Sequence, residues 1–287
     1  MNAADKLKAL LQPGMPIVRA PGAYDSFSAR LVESAGFPGI YMTGFGATSS
    51  RLGLPDIGLL TQTEMTEHAR NMVRATTVPI IADADTGYGG PSNIHRTVKE
   101  YVQAGVAAIH LEDQVAPKRC GQMAGIRLMP VDESTKRIEA ALVSREEHSL
   151  LIIARTDALA ATGREDALDR AKRYQDAGAD LVFVDGVKTR SEVDYIAENF
   201  AGPKVVSLVD GTDAASLTAT DLEQRGFSVV LYALTALFSA AAAMQKSLAT
   251  LHDTGAIPFE AGITYSEHSD IVGLPFHQKL DNKYGAL

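Results

Sequence analysis

The chain reads as an α/β protein folded as a closed (β/α)8 barrel, and three observations point there. Short apolar, β-branched runs alternate with amphipathic helical stretches along all 287 residues, with no low-complexity linker between them. About eight such runs are present, the number a barrel needs to close. Polar residues stand at the C-terminal ends of most of them, at Asp25, Thr43, Asp83 and Asp85, Glu112, Arg155 and Asp157, Asp185 and Ser207. Strands that are apolar on both faces and joined by helices must be parallel and covered, which leaves a doubly wound sheet or a barrel. A barrel collects every strand end around one mouth, whereas a doubly wound sheet uses one crevice, so the barrel is preferred.

In chain order the expected strands are Ile17 to Ala23, Gly39 to Thr43, Pro79 to Asp85, Ala107 to Glu112, Leu150 to Thr156, Leu181 to Asp185, Lys204 to Leu208 and Ser228 to Tyr232. Helical periodicity lies between them, over Thr61 to Ala75, Ser92 to Ala104, Asp132 to Ser144, Arg164 to Ala177 and Arg190 to Asn199. Several of these end in Gly just before the next strand, as at Gly105, Gly178 and Gly226, the expected helix C-terminal cap. Residues 1–287 are taken as one barrel domain, with 235–287 as a C-terminal helical extension. Within that extension, Ser239 to Leu251 is apolar enough to want a partner, and Phe276 to Tyr284 reads as a trailing arm.

Composition narrows the function class. A net charge of -8 offers no basic footprint for nucleic acid or an anionic membrane. No long uncharged run could span a bilayer, and the first residues lack the pattern of a signal peptide, so a cytosolic protein is expected. A single cysteine, Cys120, excludes an internal disulfide and a Cys-rich zinc site. Gly87-Tyr88-Gly89-Gly90 lacks the Lys-Ser/Thr of a phosphate loop and the spacing of a dinucleotide fingerprint, so no nucleotide cofactor is expected. The histidines His68, His95 and His277 have no metal-ligand spacing.

The most informative stretch is Pro79 to Gly90, where an apolar run ends in Asp83 and Asp85 and then breaks into glycines. Side chains of a strand alternate faces, so these two acids are expected to point the same way off its carboxyl end. A second strand ends in Glu112 and Asp113. Four acids gathered at one mouth repel each other unless a cation sits among them, which makes a divalent metal site the simplest reading.

Five segments together carry a family resemblance. Gly53-Leu54-Pro55-Asp56, Asp83-Ala-Asp85-Thr-Gly-Tyr-Gly, His110-Leu-Glu112-Asp113-Gln114, Lys118-Arg119-Cys120-Gly121 and Ala154-Arg155-Thr156-Asp157-Ala158 follow in this order. Singly each is weak, but at these spacings the set strongly resembles the isocitrate lyase/phosphoenolpyruvate mutase superfamily, especially its methylisocitrate lyase and 2,3-dimethylmalate lyase branch. The likeness covers nearly the whole chain. It implies that Asp85 binds Mg2+ directly, with Mn2+ as a substitute, while Asp83 and Glu112 hold its waters. A hard cation that keeps several waters and needs few protein carboxylates is the usual way Mg2+ is bound. It implies further a homotetramer that exchanges C-terminal helices between neighbours. Asp113 is expected to face away, toward backbone or an Arg.

Other residues receive roles on the same grounds. The long segment from Gln114 to Pro130 is a candidate lid over the mouth. On it, Lys118, Arg119, Cys120 and Gly121 resemble the family's gate, whose Cys is the general acid that protonates the carbanion after carbon-carbon cleavage. Arg155, which shares a face with Asp157, is expected to clamp a substrate carboxylate with its fork. Thr43-Gly44-Phe45 matches the segment whose backbone N–H groups bind the α-keto or α-hydroxy acid end. Tyr41 and Asp56 correspond to residues that contact the reacting group, and either Tyr41 or an acid-activated water takes the hydroxyl proton.

Three departures from the methylisocitrate lyase pattern bear on specificity. Gln122 stands where those enzymes continue the gate with His, Asp185 where they place Glu, and Leu208 where they place Asn. All three are expected to line the distal end of the substrate pocket and to favour a short or alkyl-bearing diacid over a tricarboxylate. The expected activity is a Mg2+-dependent carbon-carbon lyase acting on a small 2-hydroxy di- or tricarboxylate through the enolate of an α-keto acid. Phosphorus-carbon bond chemistry of the phosphoenolpyruvate mutase or carboxyphosphonoenolpyruvate phosphonomutase type, or decarboxylation or hydrolysis of oxaloacetate, are alternatives, because all stabilise the same enolate. A non-catalytic binding barrel is a remote one.

Overall fold

The computed structural model describes residues 1–258 and 262–285. Eight parallel strands close a barrel in sequence order: β1 (Val18–Ala23), β2 (Ile40–Met42), β3 (Ile80–Asp83), β4 (Ala108–Glu112), β5 (Leu151–Thr156), β6 (Leu181–Val184), β7 (Lys204–Ser207) and β8 (Val229–Tyr232). Each lies within its expected span. The last pairing, β8 with β1 from Val18 beside Val229 to Pro21 beside Tyr232, closes the ring. Strand β3 stops two residues short of its expected end because Asp85 takes a left-handed φ of 45°, which no extended chain can hold. Asp83 and Asp85 therefore reach the mouth from a strand end and a turn, not from one continuous strand face.

Alternation along the strands builds two cores. Val18, Ala20, Ile81, Ala108, Leu151, Ile153, Leu181, Val205, Val229 and Leu231 fill the barrel interior, and Leu7 of the helix Ala3–Leu10 packs into the same cluster. Their neighbours on each strand, such as Met42, Ala82, Ile109, Ile152 and Val206, point outward against Met65, Val98, Tyr101 and other helix residues. The surrounding helices include Gln62–Ala75, Pro91–Ala104, Val131–Ser144, Arg164–Asp176 and Arg190–Asn199, close to expectation. Thr61 opens the first with a reciprocal cap to Glu64, and Gly105, at φ 85°, ends the second.

After β8 the chain continues in the helices Thr235–Thr254, Tyr265–Ile271 and Leu274–Tyr284, none of which buries a residue. The tail touches its own barrel through Arg30 Nη1, which donates to the carbonyl of Ile271 at 3.1 Å, and through the stacked rings of Phe27 and His268. Phe238, Met244, Leu248, Leu251 and Phe276 are exposed. Residues 259–261 and 286–287 of the expected extension lie outside the described residues. Among the described residues no helix is long and apolar enough to cross a membrane.

Candidate active site at the C-terminal mouth

The strand ends converge on a buried polar cluster. Strand β2 delivers Tyr41, β3 Asp83, β4 His110 and Glu112, β5 Arg155, and the residue after β6 is Asp185. Six buried carboxylates, Asp56, Asp83, Asp85, Glu112, Asp157 and Asp185, face two buried cations, Lys118 and Arg155. Lys118 Nζ lies 2.7 Å from Asp56 and 2.8 Å from Asp85. Arg155 Nη2 lies 2.8 Å from Asp157 and 2.6 Å from Asp185, and its Nε is 3.5 Å from Glu112. Its guanidinium also sits over the Phe183 ring, 5.4 Å from the centroid. Arg155 thus braces three acids, and a substrate carboxylate would share it with them.

The acids are unequally satisfied. Burial disfavours the charge on Asp83, yet His110, Lys118 and Arg155 outweigh it and hold this carboxyl down to about 2. Burial pushes Asp85 up to about 6 against the pull of Lys118, with Asp83 and Asp56 adding to the rise. The Lys118 contact alone predicts the opposite direction for Asp85; the rise is the one that follows from three carboxylates sharing one ammonium. Burial likewise raises Glu112 despite Arg155 and Lys118. Both Glu112 oxygens and Asp85 Oδ1 lack a hydrogen bond, the last having only the unaligned ammonium contact. Among the described residues no three His, Cys, Asp or Glu side chains converge tightly enough to cage an ion by themselves. Orphaned carboxylate oxygens without a closed cage suit a hydrated Mg2+, held by few protein oxygens and several waters.

Two further donors face the same space. Thr43 caps the helix Gly44–Leu52, so the N–H groups of its first turn have no helical carbonyl to bond. Gly44 allows this helix to approach, since a Cβ there would lie 2.3 Å from Asp83 Oδ2. Tyr41 Oη is 3.0 Å from His110 Nε2, and the His110 ring meets Phe183 edge-on. Burial lowers His110 to about 4, so it is neutral, and burial raises the Tyr41 phenol, which is neutral too.

The segment from Gln114 to Pro130 folds over this cluster. Gln114 Nε2 donates to the Arg119 carbonyl at 2.7 Å and to Asp157 at 3.1 Å, and the Arg119 N–H donates back to Gln114 at 2.9 Å. The Cys120 N–H donates to the Asp56 carbonyl at 3.1 Å. Gly121 slides under the acids: a Cβ there would lie 2.3 Å from Asp185, 2.7 Å from Asp157 and 2.9 Å from Arg155. Beneath it is a cavity of about 40 Å³ walled by Tyr41, Thr43, Asp83, Cys120, Gln122 and Arg155, among others. Burial pushes the Cys120 thiol up to about 11, so it carries its proton at neutral pH. A wider cleft of about 590 Å³ lies on the far side of Lys118 and also reaches Asp85. The smaller space is the chamber lined by the converging strand-end groups, Tyr41, Asp83, Arg155 and Asp185, together with Cys120.

Residues 7–252 match the family described as phosphoenolpyruvate phosphomutase. The chain belongs to that family. It is 40% identical over 286 residues to the 2,3-dimethylmalate lyase of Eubacterium barkeri, 99% of each chain being covered. A solved oxaloacetate acetylhydrolase in complex with 3,3-difluorooxalacetate superposes with a TM-score of 0.94 at 34% identity, covering 100% of this chain and 98% of the other. Phosphonopyruvate hydrolase in complex with oxalate and Mg2+ does so at 0.89 and 30% identity, over 99% of both chains. The resemblance read from the five sequence segments is therefore to the right superfamily.

Of the expected site residues, Tyr41, Thr43, Phe45, Asp56, Asp83, Cys120, Gly121, Gln122, Arg155 and Asp185 line the chamber, and Asp85 and Lys118 stand at its border with the outer cleft. Gly44 and Glu112 lie behind these, against Asp83 and Arg155. Leu208 is a correction. It is buried in the outer core, while Ser207 and Val209 face the chamber, because alternation puts every second residue of β7 inward. Phe183, Val209, Ala233 and Leu234 were missed, and counting inward positions from Leu181, Val205 and Leu231 finds all but Leu234. His110 stood in a recognised motif without a role; its contact with Tyr41 comes from another strand. Asp113 faces away as expected, accepting bonds from Thr156, Arg170 and Tyr174.

Proposed function

We propose that the protein is a Mg2+-dependent carbon-carbon lyase that cleaves a small 2-hydroxy dicarboxylate of the dimethylmalate type. One observation carries the reading: the half-buried, protonated Cys120 lines the same chamber as Asp56, Asp83 and Arg155, next to the helix whose first turn is capped by Thr43, with the unsatisfied oxygens of Asp85 and Glu112 adjoining it. Asp85 would hold the ion directly, with Asp83 and Glu112 holding its waters. When bound, the divalent ion would supply positive charge against the substrate alkoxide that becomes the keto oxygen of the α-keto acid product.

The chain's own groups do the rest. The N–H groups of Gly44 and Phe45 bind the acid end and favour its developing negative charge. Arg155, with Asp157 and Asp185 at its flanks, orients a carboxylate. Tyr41 is a neutral phenol hydrogen-bonded to His110, so it orients groups in the chamber and is not the base that takes the hydroxyl proton. Asp56, beside Lys118, accepts that proton directly or through a water. Cleavage leaves a carbanion on the other fragment, and Cys120 gives it a proton. The lid from Gln114 to Pro130 keeps bulk water from doing so first.

The wall opposite the acids is apolar, with Phe45, Val209, Ala233 and Leu234. These residues, and not Leu208, carry the preference for an alkyl-bearing diacid, where each buried methylene adds about 0.8 kcal/mol. A third carboxylate would lie against this wall unpaired, at a cost of several kcal/mol. Hydrolysis of oxaloacetate is the second reading, favoured by the close superposition on an oxaloacetate acetylhydrolase. Incubation with Mg2+ and 2,3-dimethylmalate, methylisocitrate, oxaloacetate and phosphonopyruvate, with products read by NMR, tests both. We expect dimethylmalate to exceed methylisocitrate at least tenfold in kcat/KM, with turnover abolished by EDTA or Asp85→Ala. Equal efficiency on methylisocitrate defeats the specificity, and full activity in EDTA defeats the metal reading.

A further inference from the structure

The turn that presents Asp85 has the most unusual backbone at the mouth. Asp85, Gly87, Tyr88 and Gly89 all have positive φ, of 45°, 82°, 61° and 143°, and two of these residues are not glycine. Such a run persists only where its surroundings over-determine it. Part of the support is local: the Gly87 N–H donates to Ala84 at 2.9 Å, Thr97 donates to the Gly87 carbonyl at 3.2 Å, and Tyr101 donates to the Asp83 carbonyl at 2.8 Å. Thr97 and Tyr101 belong to Pro91–Ala104, the helix that follows the turn directly.

One clamp comes from elsewhere. Arg137, on the helix Val131–Ser144 of the next barrel unit, donates from Nη2 to the carbonyl of Thr86 at 2.7 Å and to that of Gly89 at 2.6 Å. These two carbonyls bracket the left-handed residues, so a single guanidinium nitrogen ties both ends of the turn together. Arg137 is half-buried and, unlike Arg155 and Arg170, it is bound to carbonyls and not to acids. Its charge strengthens both bonds.

We propose that Arg137 is a positioning residue for Asp85: by pinning Thr86 and Gly89 it fixes the direction in which the Asp85 carboxylate meets an incoming divalent ion. The inference rests on Asp85 being the direct metal ligand. Groups that orient a ligand from behind typically change metal affinity by about 10- to 100-fold when removed. Arg137 lines neither the chamber nor the outer cleft; it shares a small cavity with Glu112 but its hydrogen bonds go to the turn, which is the route by which it acts on Asp85.

Mn2+ alone serves as the probe, titrated into the protein and followed by the EPR signal of the free ion, for wild type, Asp85→Asn, Arg137→Lys and Arg137→Gln, with thermal melts in EDTA alongside. Wild type should bind, Asp85→Asn should lose binding, and Arg137→Gln should weaken it about 10- to 100-fold. Arg137→Lys, which keeps the charge but puts an ammonium of different reach and shape in place of Nη2, should fall between. Added methylguanidinium should recover part of the affinity of Arg137→Gln, a rescue that general loosening of the fold cannot produce. Unchanged Mn2+ affinity in both Arg137 variants, with Asp85→Asn still defective, overturns the inference and leaves Asp85 as ligand. Wild-type affinity in Asp85→Asn overturns the ligand assignment itself, and the role of Arg137 with it.

Discussion

At the scale of single residues, the site depends on which groups keep their protons. In the proposed mechanism Cys120 acts as an acid, and desolvation pushes its pKa up to about 11, so it stays a thiol well above neutral pH. The sign is fixed by the charge: burial penalises the thiolate, so the protonated form persists upward in pH. Alkylation by iodoacetamide, which needs the thiolate, should accordingly stay slow at pH 9 in the folded enzyme and accelerate only toward pH 11. Rapid labelling at pH 8 contradicts a half-buried thiol whose pKa is raised. Cys120→Ser, a far weaker acid, should lower kcat by on the order of 10² or more while substrate still binds. A fully active Ser variant makes Cys120 a packing residue. The acids, Cys120 and Arg155 were legible in the sequence because each sits at a strand end or in a distinctive local motif. The Tyr41 and His110 pair was not, since it joins β2 to β4 across the barrel interior, and local spacing carries no information on such pairs.

At the scale of elements, the lid is a loop whose closed form requires glycine at one point. Gly121 meets Asp157, Arg155 and Asp185 so closely that one methyl group cannot be placed without moving them. The backbone there is ordinary, so Gly121→Ala is tolerated by the chain itself and hinders only closure. Displacement of the lid by about an ångström misplaces Cys120 and should reduce kcat/KM by on the order of 10². Trypsin should also cut faster at Arg119 or Arg127, both exposed on the lid. Wild-type kinetics with wild-type proteolysis would mean that the lid closes without this contact. The strands were legible because all eight are apolar runs with polar ends, and the register error at β7 shows the limit of that signal. In Lys204-Val-Val-Ser-Leu-Val both faces are apolar, so composition does not say which residue looks inward; the neighbouring β8, with Leu231 beside Ser207, decides it.

At the scale of the whole molecule, the barrel is complete but its C-terminal helices are not. Strands and surrounding helices bury two continuous cores, whereas Thr235–Thr254 and the two helices after it bury none of their residues in a single chain. Met244 is 56% exposed, Leu248 62% and Phe276 62%, an apolar surface that a lone subunit leaves in water. The sequence showed this surface as an apolar stretch beyond the eighth strand, but local pattern does not say what covers it. We propose that copies of this chain cover it, in a homotetramer that exchanges these helices, because an isologous interface places the same patch on both partners. The contacts of Arg30 with Ile271 and of Phe27 with His268 anchor the far end of the tail and leave the long helix free on its outer face. Light scattering on the intact chain should give a mass near four subunits. Removing the residues after Gly273 should give smaller species or aggregates, while the barrel, which does not include them, keeps its far-UV circular dichroism. An intact chain that is monomeric at micromolar concentration, or a truncated one that still forms tetramers, places the partner of this surface elsewhere.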